Sequence, residues 1–439
     1  MIQKHTLIKS TVILTTAGML SRIIGFFYRI FLSRAIGAEG IGIYQLIFPI
    51  HALLLALSVS GIQTAISRFV SSRSAAGEEQ GAKEVLLCGT FLSVACSLAI
   101  SAILYRNAAK ISELFLHEAR CIPLLQILSF SLPFSAVHAC IIGYYTGQKR
   151  ASVPAISQLI EQLVRVASSI LYCQIFTEKG LPLSPVIALL GMLTSEIAAV
   201  LYTGTKYMLH HPRKAHFSYP CSFSCTREIL AFSLPLNASR ICLTLFQSAE
   251  SICIPFRLQL HGLSRSAALS AYGTLTGMAL PLVLFPTAVT NALSVMLLPA
   301  VSEAQATGDR HRISSLSTCT IQSCLLLGIC STLFFLLTGN LCGTFLFHNA
   351  EAGTYILILC WLCPFLYLGT TLTGILNGLG STFTVFLINM AALLIRLFFV
   401  WFVIPFHGIK GYLIGLLISQ LLHSILLLFC LSQKLTSDV

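Results

Sequence analysis

Charge is scarce in this chain of 439 residues: Asp, Glu, Lys and Arg together make up 10%, and the acids number 15 against 27 Lys and Arg. A soluble domain of this length covers itself with far more charged surface, so that class is excluded. A leader peptide is not expected either. Lys4 and Lys9 run straight into an apolar segment that carries arginines and lacks a small-residue cleavage site, so the first helix is expected to stay in the mature protein. Long polar breaks are also missing, which leaves little room for a folded domain outside the apolar runs.

What the chain has in abundance is apolar sequence, 56% of its residues, with a mean hydropathy of +0.86. Runs of about 20 residues recur, each long enough to cross a hydrocarbon core roughly 30 Å thick as a helix. The expected fold class is an all-α polytopic membrane protein with twelve spans: 11–33, 44–66, 84–104, 121–145, 154–176, 186–208, 229–255, 268–296, 316–338, 354–376, 383–404 and 409–431. The N-terminus, even-numbered loops and C-terminus hold 14 Lys and Arg against 8 in the odd-numbered loops. The positive-inside tendency therefore puts both termini in the cytoplasm and accounts for most of the net charge of +12 without a nucleic-acid partner.

The sixteen cysteines fall mainly inside spans, where a thiol acts as a small apolar group. Cys360 and Cys363 have redox spacing but lie mid-span. His210, His211, His216, Cys221 and Cys225 gather in one basic loop, yet their spacing fits no standard zinc pattern, so the expectation is a plain connector and no metal.

The chain resembles itself. "LPFSAVHACIIGYYTGQ" (132–148) aligns without gaps on "CPFLYLGTTLTGILNGL" (363–379), matching Pro133, Phe134, Gly143 and Gly147 to Pro364, Phe365, Gly374 and Gly378. The same offset of 231 residues places Arg165 on Arg396. Leu and Ile match everywhere by chance in membrane segments; Pro, Gly and Arg do not. The duplication implies an N-terminal six-helix lobe (1–208), a cytoplasmic linker (209–228) and a C-terminal six-helix lobe (229–439). Repeats in the same orientation imply a pseudo-twofold axis along the membrane normal, with the substrate in a hydrated central cavity.

Five arginines remain inside the spans, namely Arg22, Arg29, Arg165, Arg240 and Arg396, against Glu161, Glu196 and Glu250. Each central arginine costs about 2.5–3.5 kcal/mol to insert, on the order of 12–17 kcal/mol for the set. In span 1, Thr15, Gly18, Arg22, Gly25, Arg29 and Ser33 are three or four residues apart and form one polar stripe, opposite Leu20, Ile24, Phe27 and Phe31. Spans 5 and 7 carry similar stripes (Ser157, Glu161, Arg165, Ser168, Tyr172; Asn237, Arg240, Thr244, Gln247, then Glu250), and span 11 a weaker one through Asn389 and Arg396. Polar stripes turn away from lipid. Glu161 and Arg165 are placed to pair at i,i+4, whereas span 1 holds no acid. The surplus of guanidinium charge asks for an anion, and guanidinium forks suit phosphate oxygens. The expected diphosphate-binding residues are Arg22, Arg29, Arg240, Arg165 and Arg396, with Glu161, Glu250, His51, Asn237 and Gln247 as further polar or coupling groups.

The stretches "SRIIGFFYRIFLSRAIGAEGIGIYQLIFPI", "SVSGIQTAISRFVS" and "LSVMLLPAVSEAQATGD" resemble the polysaccharide-transporter branch of the MATE-like (MOP) superfamily, in particular its sporulation-type members and lipid II flippases of the MurJ type. The resemblance spans essentially the whole chain. It implies two six-helix lobes, alternating access, and movement of an undecaprenyl-pyrophosphate-linked sugar across the cytoplasmic membrane, with Arg22 and Arg29 holding the diphosphate. It further implies a lipid-linked oligosaccharide as substrate, membrane lipids and cell-wall synthesis enzymes as partners, no enzymatic activity and no cofactor, with Na⁺ or H⁺ left open as a coupling ion. The chain departs from the lipid II flippases in having no arginine in "LLLALSVSGI" or "AYGTLTGM", and it is expected to lack the additional helix pair of some relatives. Two rival classes fit less well. A cation-coupled multidrug exporter of the same fold needs acids where span 1 has arginines, and a membrane glycan polymerase or ligase needs an outer loop longer than the roughly 20 residues available here.

Overall fold

The computed structural model describes residues 2–210 and 223–436. Among the described residues every regular element is helical, as a bilayer demands, because a helix satisfies its backbone groups within one segment. The principal helices are α1 (Ile2–Leu55), α2 (Gly61–Ala75), α3 (Glu79–Leu114), α4 (Ile122–Gly147), α5 (Ser152–Glu178), α6 (Val186–His210) and α7 (Phe223–Leu260). They are followed by α8 (Arg265–Gly273), α9 (Leu280–Val283), α10 (Thr287–Ala306), α11 (Arg310–Leu341), α12 (Ala350–Leu359), α13 (Cys363–Gly378), α14 (Thr382–Phe398) and α15 (Ile404–Thr436).

Ten helical runs among the described residues are long and apolar enough to cross a membrane. Two of them, Ile13–Ala75 and Thr382–Leu435, are 63 and 54 residues long and so far exceed one crossing. Each is broken by a glycine with positive φ, Gly37 at 69° and Gly408 at 61°, a backbone state that only glycine enters cheaply. The expected spans 1 and 2 lie on either side of Gly37, and spans 11 and 12 on either side of Gly408. The expected eighth span, 268–296, is not one helix. It stops at Leu284–Pro286, where proline withholds a backbone donor, and α10 begins afresh at Thr287.

The chain divides into two compact units: Met1–Tyr28 with Ile43–Ser248, and Arg29–Gly42 with Ala249–Val439. In the first, α4 packs against α2, α3 and α6, and α5 packs against α6. Its core includes Val70, Ile141, Tyr144 and Tyr145. In the second, α13 packs against α10, α11 and α15, and α14 packs against α15. Its core includes Val301, Leu372, Ile375 and Leu376. Each of these four residues stands 231 positions after its counterpart in the first unit, so the sequence offset recurs in the packing.

The glycines explain how the central helix of each unit gets so close to its neighbour. A Cβ on Gly143 would stand 2.7 Å from the Gln63 carbonyl oxygen, and one on Gly374 would stand 2.8 Å from that of Ser294. Inside a bilayer, where burial against lipid gains little, such close approach of small residues supplies much of the helix–helix attraction. The described cysteines are all free, and Cys360 and Cys363 are buried core thiols.

Candidate functional site

The polar stripes read from sequence meet different fates. That of α5 is consumed within the first unit. The Ser157 hydroxyl lies 2.7 Å from Nε2 of His138 on α4, Ser168 bonds Thr194 on α6 at 2.9 Å, and the Arg165 guanidinium donates to the Glu161 carboxylate one turn earlier. The i,i+4 pair expected from spacing is therefore formed. Both partners are mostly covered, with side chains 21% and 22% exposed.

A second buried acid sits beside this pair. Glu196 on α6 is 7% exposed, and its Oε2 lies 3.7 Å from His138 Nδ1. That oxygen makes no hydrogen bond among the described residues, and neither does the buried Nε2 of His51. His138 was not among the residues singled out from sequence. The signal available was a histidine in one span and an unassigned acid in another, which periodicity alone does not join.

The α7 stripe begins in the first unit. Asn237 is buried against α2, where a Cβ on Gly61 would fall 2.4 Å from the Asn237 amide nitrogen. Arg240 is exposed and donates from one guanidinium nitrogen to the Ser60 hydroxyl at 2.9 Å. Thr244 and Ser248 bond backward along the helix, and Ser248 also donates to the Pro49 carbonyl at 3.1 Å. Gln247 is exposed.

In the second unit, Glu250 is 5% exposed and accepts a 2.8 Å hydrogen bond from the Tyr412 hydroxyl. Arg396 completes the group with its Nε 3.3 Å from Glu250 Oε1. Two turns earlier on α14, Asn389 Oδ1 lies 2.9 Å from Nε2 of His423 on α15. The two arginines related by the repeat thus find carboxylates by different routes: Arg165 on its own helix, Arg396 on a helix far away in sequence.

On α1 exposure does not divide the polar from the bulky positions: Arg22 is exposed as Leu20 and Phe27 are, and Ile24 and Phe31 are half-buried as Gly25 and Arg29 are. Phe27 is 63% exposed and Leu20 45%, while Gly25 faces α5, where its Cβ would stand 3.1 Å from the Gln162 side-chain nitrogen. Ser33 is buried and bonds the Ile30 carbonyl. Arg22 is exposed and belongs to the first unit; Arg29 is half-buried and belongs to the second. The two are seven residues apart on one helix face, about 10 Å along the axis. Among the described residues neither Arg22 nor Arg240 is in an ion pair with a carboxylate, whereas Arg165 and Arg396 both are.

The histidine- and cysteine-bearing connector falls outside the described residues from 211 to 222. At its edges, the His210 ring bonds the Tyr145 hydroxyl at 2.9 Å, and Cys225 lies with Cys88 and Glu84, their ligand atoms all within 4.8 Å of one another. Arg73 lies 3.7 Å from that Glu84 carboxylate and 3.2 Å from Glu228, so the acid already has a cation beside it.

Comparison with known proteins agrees with this architecture. The chain is 27% identical to stage V sporulation protein B of Bacillus subtilis (strain 168), over 96% of this chain and 83% of that protein. It is 22% identical to lipid II flippase MurJ of the same organism, over 85% and 73% respectively. Among solved structures, an inward-facing multidrug resistance MATE family transporter of the MOP superfamily superposes with a TM-score of 0.74 at 14% identity, covering 97% of this chain and 98% of that one. This likeness shows a MATE-like fold. The family described as polysaccharide biosynthesis protein matches residues 7–305, and with that match the chain, an all-helical multi-pass membrane protein, belongs to the polysaccharide biosynthesis protein family.

Proposed function

We propose that this protein is a flippase that carries an undecaprenyl-pyrophosphate-linked sugar, a lipid II-like precursor or a related polysaccharide unit, from the inner to the outer leaflet of the cytoplasmic membrane by alternating access. The observation that carries the reading is the contrast among the intramembrane arginines. Arg165 and Arg396 are neutralised by Glu161 and Glu250, while Arg22 and Arg240 stand exposed and, among the described residues, in no ion pair with a carboxylate. A guanidinium at membrane depth is costly unless something compensates it, and a diphosphate does so through paired, charge-assisted hydrogen bonds. Arg29, on the same stripe as Arg22, extends the run of positive charge along α1.

In this reading the protein does no covalent chemistry. Arg22, Arg29 and Arg240 capture the diphosphate, and the polyprenyl tail stays in lipid. Arg165, Arg396, Glu161, Glu250, His51, Asn237 and Gln247 hold and orient the polar interior around them. Twelve spans in two six-helix lobes joined through 209–228, with both termini in the cytoplasm, give the headgroup its entry from the inner leaflet. The relatives' names, one a lipid II flippase, support the substrate class.

The test is reconstitution in liposomes with a fluorescent undecaprenyl-pyrophosphate sugar and its monophosphate counterpart. The protein is expected to expose the diphosphate-linked headgroup to an external quencher and to prefer it over the monophosphate. Na⁺-driven export of organic cations, with the lipid-linked sugar left in place, would contradict the reading.

A further inference from the structure

Away from the arginines discussed above, the second unit holds a cavity of about 470 Å³ where three chain segments meet: the turn from α10 into α11, the residue following α13, and the end of α15. Its floor is apolar. Ile313 and Leu379 are 6% and 8% exposed, and Leu435 lies beside them. Its walls are basic and polar, formed by Arg310, His311 and Lys434 with Gln305 and Ser314.

No acid among the described residues lies in an ion pair with Arg310, His311 or Lys434. Asp309, next to Arg310 in sequence, accepts from the Arg312 backbone N–H through its Oδ1 at 2.9 Å. The charged side chains that line the cavity, Arg310 and Lys434, are both basic and stand over an apolar base.

Its depth in the fold indicates the kind of anion. Arg310 opens one apolar span, Arg310–Leu346; Leu379 directly follows another, Ala350–Gly378; and Lys434 and Leu435 close a third, Thr382–Leu435. Against the expected spans 316–338, 354–376 and 409–431, Arg310, Leu379 and Lys434 all fall a few residues outside the hydrocarbon, at the depth of the headgroups. Basic groups at that depth attract anionic headgroups, and an apolar floor accommodates the first carbons of an acyl chain.

We propose that this cavity is a binding site for the phosphate of an anionic phospholipid, separate from the site of the transported diphosphate. Arg310 and Lys434 receive the phosphate oxygens, His311 and Ser314 line its edge, and Leu379 and Leu435 meet the glycerol and upper acyl carbons. The site ties the end of α15 to the start of α11 through a lipid, so that lipid composition acts on the stability of the second unit.

The test uses the full chain in nanodiscs of phosphatidylcholine with or without phosphatidylglycerol, followed by native mass spectrometry of lipids retained on transfer to detergent. Wild type is expected to retain phosphatidylglycerol in preference to phosphatidylcholine. The Arg310→Ala/Lys434→Ala double variant is expected to lose that preference by on the order of tenfold. Arg312→Ala, exposed and outside the cavity, is expected to retain it, and Arg310→Lys/Lys434→Arg to keep most of it. Equal retention of both lipids by wild type, or unchanged retention by the double variant, would overturn the proposal. Release of the retained lipid by millimolar inorganic phosphate would also overturn it, by assigning the site to a soluble anion.

Discussion

Gly147 on α4 lies so close to Ser67 on α2 that a Cβ at that glycine would stand 2.6 Å from the serine's carbonyl oxygen. The equivalent relationship recurs 231 residues later, where a Cβ on Gly378 would stand 2.9 Å from the Leu298 carbonyl oxygen. These contacts are with backbone, which cannot swing aside. Gly147→Ala and Gly378→Ala are each expected to destabilise their unit by about 1–3 kcal/mol, the usual cost of overpacking. Thermal unfolding in detergent measures this, with Gly204→Ala as the control, because nothing lies within 4 Å of a Cβ there.

The Glu161–Arg165 pair makes a separate prediction. Glu161→Gln leaves a largely covered guanidinium without its counter-charge, at an expected cost of about 3 kcal/mol. Glu161→Gln/Arg165→Met removes both charges and is expected to recover most of that loss. A double variant as unstable as the single one would show that the pair does more than neutralise itself. The melting temperatures of the four species in the cycle decide between these outcomes.

In the second unit, Tyr412→Phe deletes one buried hydrogen bond to a carboxylate and leaves the shape intact. The expected loss is about 1.5–3 kcal/mol, the range for a bond to a charged acceptor. In a Glu250→Gln background the same substitution should cost less, since the acceptor is then uncharged. Equal losses in the two backgrounds would mean that the Glu250 carboxylate is not what holds the tyrosine.

Much of this was legible in the sequence for physical reasons that act locally. Apolar run length gives the spans, the i,i+4 spacing gives the Glu161–Arg165 pair, and the Pro-Phe-Gly-Gly repeat marks the helix, α4 or α13, that lies against three neighbours in its unit. What periodicity cannot supply is which helix a polar face meets. The His138–Glu196 approach joins α4 to α6, and the Glu250–Arg396–Tyr412 group joins three helices, so both depend on tertiary packing. The same limit hid the division of α1, whose residues from Arg29 to Gly42 belong to the second unit although one helical run carries them. The break within 268–296 was blurred because Pro286 lies amid residues as apolar as those around it.

The fate of Arg22 bears most directly on the proposed transport. Headgroup translocation of a fluorescent undecaprenyl-pyrophosphate sugar in liposomes should be compared for wild type, Arg22→Ala, Arg240→Ala and Arg22→Lys, each matched for reconstituted amount and for melting temperature. If guanidinium groups in the membrane hold the diphosphate, both alanine variants lose about tenfold or more in rate, and Arg22→Lys retains part of it by keeping the charge without the fork. Rates equal to wild type in both alanine variants would contradict the account.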